Sequence, residues 1–174
     1  MSIIRIKTVK DEITGKEHDE FLEFLAPVTI ENPEITAEFI SEVIEHFEIS
    51  DENLMVLEKD PENEEAIALI FRAFHTIKGT TSFLGITPLY ELAHKAEKLL
   101  DEVRKKRLSF EGIVADATFN AFDLIKNMIK DLEKALLAGK KFVPGPKLTA
   151  VLAQLKRAMA GGQTPDSKKD ERSL

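Results

Sequence analysis

The 174-residue sequence predicts an all-α protein: an up-and-down four-helix bundle with an additional C-terminal helix and an unassigned N-terminal extension. Three observations predict it. Four apolar stripes recur at three-, four- or seven-residue steps, the spacing of one helix face. Proline stands at helix starts and glycine at helix ends, as backbone geometry favours. The connections between stripes are short, which makes successive helices antiparallel neighbours.

Residues 1–31 form the extension. Within it "IIRIKTV" at 3–9 is β-branched and partly alternating, the pattern of a short strand. "DEFLEFLAPV" then allows one or two helical turns before Pro27. The bundle is read over residues 32–141. Asn32-Pro33 is a cap followed by proline at the first helical position, where the missing amide proton is not needed. Phe39, Val43, Phe47, Leu54 and Leu57 line the first helix, and "KDPENEE" at 59–65 turns the chain. Asn63 caps a second helix with an acidic first turn, which suits the helix dipole. Its inward face is Ile67, Ile70, Phe71, Phe74 and Ile77, and Gly85 ends it.

Thr87-Pro88 opens the third helix by the same cap-plus-proline logic, with Leu89, Leu92, Ala96, Leu99 and Val103 inward. It closes on the basic run "RKKR" at 104–107. Ile113, Ala117, Leu124, Met128, Leu132 and Leu136 line a fourth helix that stops at Gly139. "VPGP" at 143–146 breaks the chain. Residues 142–160 hold a short fifth helix with Leu148, Leu152 and Leu155 on one face, and 161–174 read as a disordered tail or linker.

Composition narrows the function classes. Charged residues make up 32% and apolar residues 43%, the balance of a globular domain. With 31 acidic against 24 basic residues, the net charge of -7 argues against nucleic acid, whose phosphates need a basic face. Cysteine is absent, so thiol catalysis, disulfides and Cys-ligated metals are excluded. Apolar runs such as "AIALIF" at 66–71 are too short to cross a bilayer, and the N-terminus lacks the pattern of a signal peptide. The expectation is a cytoplasmic domain without membrane contact.

One stretch, "FRAFHTIKGTTSFLG" at 71–85, carries chemistry. At 100° per residue His75 falls roughly 100° from the centre of its apolar stripe, on the flank. Lys78 lies core-ward of it, and Arg72 and Gly79 lie on the outer side. A glycine inside a helix costs about 1 kcal/mol relative to alanine, so close approach of another molecule to His75 is one reason to keep it. On the third helix Glu97 falls on the corresponding flank, with His94 one turn earlier and further from the stripe. If the two helices pair antiparallel, Glu97 can accept a hydrogen bond from one nitrogen of His75. The other nitrogen's lone pair then points outward as a nucleophile.

The same residues also fit a plain surface: an inert histidine, solvated Arg72 and Lys78, and a glycine that eases a helix crossing. His18 and His46 have no comparable neighbours in sequence. A di-iron bundle enzyme would need Glu-x-x-His on two helices, whereas this chain has one His94-x-x-Glu97 in the reverse order.

"FHTIKG", then "TTSFLG", then "LAHKAEKLLDEVR" resembles the histidine phosphotransfer (HPt) domain of the type at the N-terminus of the chemotaxis histidine kinase CheA. The resemblance covers about residues 34–140, including the offsets from His75 to His94 and Glu97. It implies that His75 is the phosphoacceptor and that Lys78 neutralises charge on the phosphoryl group. Glu97 would orient His75, His94 would join the hydrogen-bond network, and Gly79 would admit partners. It implies two partners, a CheA-type catalytic domain and a CheY-like response regulator, and a monomeric domain. ATP and Mg²⁺ belong to those partners, and no cofactor or metal is expected in this chain. No Gly-rich ATP lid or nucleotide-binding domain is recognisable, so the chain alone is expected not to phosphorylate itself. It reads either as the N-terminal region of a larger kinase or as a free-standing phosphotransfer protein. The alternative function is a phosphorylation-independent docking module for a kinase or regulator.

Overall fold

The structure, a computed structural model, describes residues 20–161. The short strand expected at 3–9 and the tail beyond Gly161 lie outside the described residues. Five helices follow in order: α1 (Pro33–Lys59), α2 (Glu64–Leu84), α3 (Thr87–Arg104), α4 (Gly112–Ala138) and α5 (Lys147–Met159). Helices α1 to α4 pack as a ring in sequence order, α1 also touching α4, while α5 lies against α3 and α4. No helix among the described residues is long and apolar enough to cross a membrane.

The apolar stripes become one core. Phe39, Val43, Leu54 and Leu57 of α1, Ile67, Ile70, Phe74 and Ile77 of α2, and all five expected residues of α3 are buried. Full burial of a side chain of this size contributes roughly 1.5–3 kcal/mol. Phe122 of α4 joins three helices, its ring meeting Phe47 of α1 edge-on at 5.8 Å and Phe74 of α2 at 6.2 Å. Phe47 and Phe71 are only half-buried, at the margins of their stripes.

Helix ends follow their local chemistry, with two differences from expectation. Asn63 accepts a hydrogen bond from the Ala66 amide at 3.0 Å, as a cap should. Gly85 closes α2 in a left-handed conformation (φ 72°), which a side chain would strain. Asn32 precedes α1, but its side chain makes no capping bond, and its carbonyl accepts from Thr36 instead. Thr87 is not the cap of α3 but its first residue. Ile86 occupies the cap position because the two-residue connection drives its side chain into the core.

Helix α5 differs most from its sequence pattern. Leu148, Leu152 and Leu155 are buried as expected, and so are Ala150, Val151, Ala153 and Ala158 between them. The alanines are small enough to let neighbouring elements close over what reads as the polar side. Across the α4–α5 contact the buried Asn120 amide donates to Gln154 Oε1 at 2.9 Å.

The described part of the extension also packs on the bundle. A 3-10 turn at Leu22–Leu25 lies against α5 and α3, with Phe21 buried beneath the ammonium of Lys95. An antiparallel bridge joins Val28 to Phe142, with N–O distances of 2.8 and 2.9 Å. Lys156 of α5 pairs with Glu20.

Candidate functional site

Helices α2 and α3 are the most intimate pair in the bundle, held antiparallel by the two-residue turn at Gly85–Ile86. That turn sets the register across which the two flanks meet. His75 Nδ1 lies 3.0 Å from Glu97 Oε2, and Lys78 Nζ donates to Glu97 Oε1 at 2.9 Å. A single carboxylate therefore holds both α2 side chains, one on each oxygen. The imidazole is 62% exposed, Lys78 24% and Glu97 only 13%, so the anchor is sheltered while the ring it holds faces water.

The electrostatics decide which nitrogen carries the proton. Burial pushes the Glu97 carboxyl up, but hydrogen bonds from Lys78 and His75, with their positive charge, outweigh it and hold it below the ordinary value of 4.5. Glu97 is thus an ionised acceptor near neutral pH, and Nδ1 of His75 must be the donor. In the neutral ring this leaves the lone pair on Nε2.

A stability prediction follows from that lowered carboxyl. Its charge stabilises the fold above the ordinary value, and the contribution is lost as pH falls through the folded-state pKa. Urea unfolding should find Glu97→Gln less stable than the unaltered protein at pH 7 by about 1 kcal/mol. The two curves should converge as the pH is lowered. A gap that stays constant with pH would show that the bonds to Lys78 and His75 carry no charge-dependent stability.

Gly79 sits one turn beyond His75, and a Cβ built on it meets nothing within 4 Å. Helix crossing therefore gives no reason for this glycine, and the space beside the ring is open. His94 stands apart from the bonded group. Its ring packs on Tyr90 at 5.3 Å, and among the described residues it makes no hydrogen bond to His75 or Glu97. Burial first, then the charges of Lys98 and Lys78, lower its pKa from 6.5 against the pull of Glu91 and Glu97.

Two residues beside the site, one touching His75 and one touching that neighbour, were not legible in the sequence. Phe71, one turn earlier on α2, stacks on the imidazole with centroids 6.1 Å apart and planes 16° from parallel. Arg104, at the end of α3, lays its guanidinium 4.1 Å from the centre of the Phe71 ring. The four-residue step from Phe71 to His75 is the signal that could have found the first contact. The second depends on where α3 ends against α2. Among the described residues no group of three or more His, Asp or Glu converges as a metal site requires.

The fold and site together define a class: a helical bundle presenting an exposed imidazole that is oriented by a carboxylate from the adjacent helix. The profile of the Hpt domain matches residues 34–135. The chain belongs to the Hpt domain family. Among curated proteins it is similar to the chemotaxis protein CheA of Listeria monocytogenes, 37% identical over 95 residues, covering 55% of this chain and 15% of that one. It is likewise similar to CheA of Treponema pallidum, 35% identical over 99 residues, covering 57% and 12%. The match thus spans about one-seventh or less of those relatives' length.

Among solved structures, the CheA phosphotransferase domain from Thermotoga maritima superposes with a TM-score of 0.55 at 30% identity, covering 59% of this chain and 97% of that one. The phosphorylated P1 domain of CheA3 in complex with CheY6 from R. sphaeroides has the same fold, with a TM-score of 0.64 at 24% identity. It covers 74% of this chain and 98% of that one.

Proposed function

We propose that His75 accepts a phosphoryl group from ATP held by a CheA-type kinase catalytic domain and passes it to an aspartate of a CheY-like response regulator. The observation that carries this reading is the bond from His75 Nδ1 to Glu97, which leaves the lone pair on Nε2, with open space at Gly79 one turn further along the helix. Nε2 attacks the γ-phosphorus and forms a P–N bond as the bond to ADP breaks. The regulator's carboxylate later attacks the same phosphorus, and the electron pair returns to Nε2. Phosphoryl transfer depends mostly on positioning and charge stabilisation, so a rigid helix bearing an oriented imidazole needs little else.

The remaining roles follow from placement. Glu97 orients the ring and balances the positive charge that grows on it. Lys78 has three N–H donors, of which Glu97 takes one, and the others are free to meet phosphoryl oxygens. The domain acts as a cytoplasmic monomer within or beside a kinase protein, as phosphoacceptor rather than as an enzyme, with ATP and Mg²⁺ contributed by its partners.

Incubation with a CheA-type catalytic domain and labelled ATP tests the reading. The expected product is acid-labile and alkali-stable, as a phosphohistidine is, and its label chases onto a receiver domain. A protein that stays unlabelled would defeat the proposal. Gly79→Leu gives a sharper check, because leucine is a far better helix former and its Cβ meets open space. The variant should be more stable by roughly 0.8 kcal/mol, yet accept phosphate from the kinase domain about tenfold more slowly. An unchanged transfer rate would show that clearance at this position is not used.

A further inference from the structure

The bond to Glu97 fixes one atom of the imidazole and the tautomer, but a ring held at one nitrogen can still rock about its Cβ–Cγ bond. A second ring packed beside it, near-parallel, is the kind of contact that limits such rocking. Phe71 lies 16° from parallel to His75 at 6.1 Å, and Arg104 covers the Phe71 ring at 4.1 Å. We propose that Phe71, held in place by Arg104, is a positioning residue that sets the plane of the His75 ring and so aims Nε2. This rests on His75 being the phosphoacceptor.

The physical case has three parts. Phe71 is half-buried and packed against the core, so its own rotamer is restrained from the inside. The guanidinium restrains it from the α3 side, since a cation at this distance is attracted by the ring's negative face. Arg104 is itself anchored to Asp101, its Nη2 donating to Oδ1 at 3.2 Å. The imidazole thus meets two constraints of different kinds, a carboxylate oxygen 3.0 Å from its Nδ1 and an aromatic ring packed beside it, 16° from parallel. In-line attack on phosphorus depends on where the Nε2 lone pair points, so a rocking ring spends less time in the reactive geometry.

The test uses two variants of Phe71 and a donor that needs no docking partner. Phe71→Leu keeps most of the apolar volume but loses the flat face, whereas Phe71→Tyr keeps the face. Phosphoramidate is the small donor: Nε2 forms its bond to phosphorus as the donor's P–N bond breaks, and ammonia leaves with the electron pair. The CheA-type catalytic domain with ATP runs in parallel. Phe71→Leu should label about tenfold more slowly with either donor, and Phe71→Tyr should restore near-normal rates. Carbon relaxation of the His75 ring should show greater rocking in Phe71→Leu alone, while nitrogen shifts report the same tautomer in all three proteins.

Arg104→Gln, at an exposed side chain, covers the case in which Phe71→Leu does not fold. It should give a smaller loss of rate, about threefold, with the same gain in rocking. Normal rates and ring order in the folded Phe71→Leu protein would overturn the inference while leaving His75 as acceptor. Normal rates and ring order in Arg104→Gln would overturn the part assigned to the guanidinium. An unaltered protein that neither donor labels would overturn the phosphoacceptor reading, and this inference with it.

Discussion

His75→Gln should carry no phosphohistidine label after incubation with a CheA-type catalytic domain and ATP, a loss of at least roughly a thousandfold that leaves only background. Glutamine is a controlled replacement. It is polar, helix-compatible and suited to an exposed flank, and its amide N–H can still reach Glu97. The Lys78–Glu97 pair is untouched, so the thermal unfolding curve should match that of the unaltered protein. Only the ring lone pair disappears, because an amide nitrogen is delocalised into its carbonyl and does not attack phosphorus. His18, His46 and His94 remain in the variant, so persistent acid-labile label would move the acceptor to one of them. If the variant instead binds a receiver domain as well as the phosphorylated protein does, docking without phosphate becomes the better reading.

The second large effect is expected at Glu97. Glu97→Ala should slow phosphorylation of His75 on the order of 10- to 100-fold, measured as the initial rate of labelling, while the helical circular dichroism stays unchanged. Freeing the tautomer explains only a small part, because the two neutral forms of a histidine are close in energy. Loss of orientation and of the negative charge facing the developing imidazolium supplies the rest. The fold tolerates the change because Glu97 lies on a flank and Lys78, 24% exposed, can turn to water. Glu97→Gln should fall between the two, since it keeps an acceptor oxygen but not the charge. A labelling rate equal to that of the unaltered protein would show that the bond at 3.0 Å does not prepare the ring for attack.

Both variants probe residues that were legible before any coordinates. His75, Gly79 and Glu97 are placed by angle alone, because a helix has a fixed 100° step and a stripe defines its inward direction. The glycine's meaning was open at that stage. It read either as a helix-crossing residue or as clearance, and the empty space at its Cβ takes away the reason for the first. The bond from Lys78 to Glu97 was beyond sequence reasoning, because the helix wheel places Lys78 beside His75 but does not say which anion its ammonium meets. Its long stem reaches whatever anion the neighbouring helix offers first. Phe71 was read as part of the apolar stripe, and half of it is. The exposed half faces His75, a division that periodicity cannot resolve because it assigns whole residues to faces.

The fold shows the same division. Helix boundaries of α1, α2 and α4 follow from Pro33, Asn63, Gly85 and Gly139, whose effects act within one turn. The cap of α3 moved by one residue because Ile86 is drawn into the core, a tertiary demand that outranks the preference of Thr87. Helix α5 showed one apolar face in the sequence, and its small residues concealed that it would be enclosed by α3, α4 and the turn at Leu22–Leu25.

By itself the sequence determined the number of helices in the bundle, their inward faces, and the flank on which His75 and Glu97 each stand. All of these depend on residues close together in the chain, where period and capping chemistry suffice. Only the tertiary structure decided that one carboxylate holds both His75 and Lys78, that Nδ1 is the ring nitrogen bonded to it, and that Phe71 stacks beside the imidazole with Arg104 over its own ring. Those relations depend on axial register and side-chain reach between two helices. A shift of one turn, about 5.4 Å along the axis, would leave every stripe intact and break every one of them.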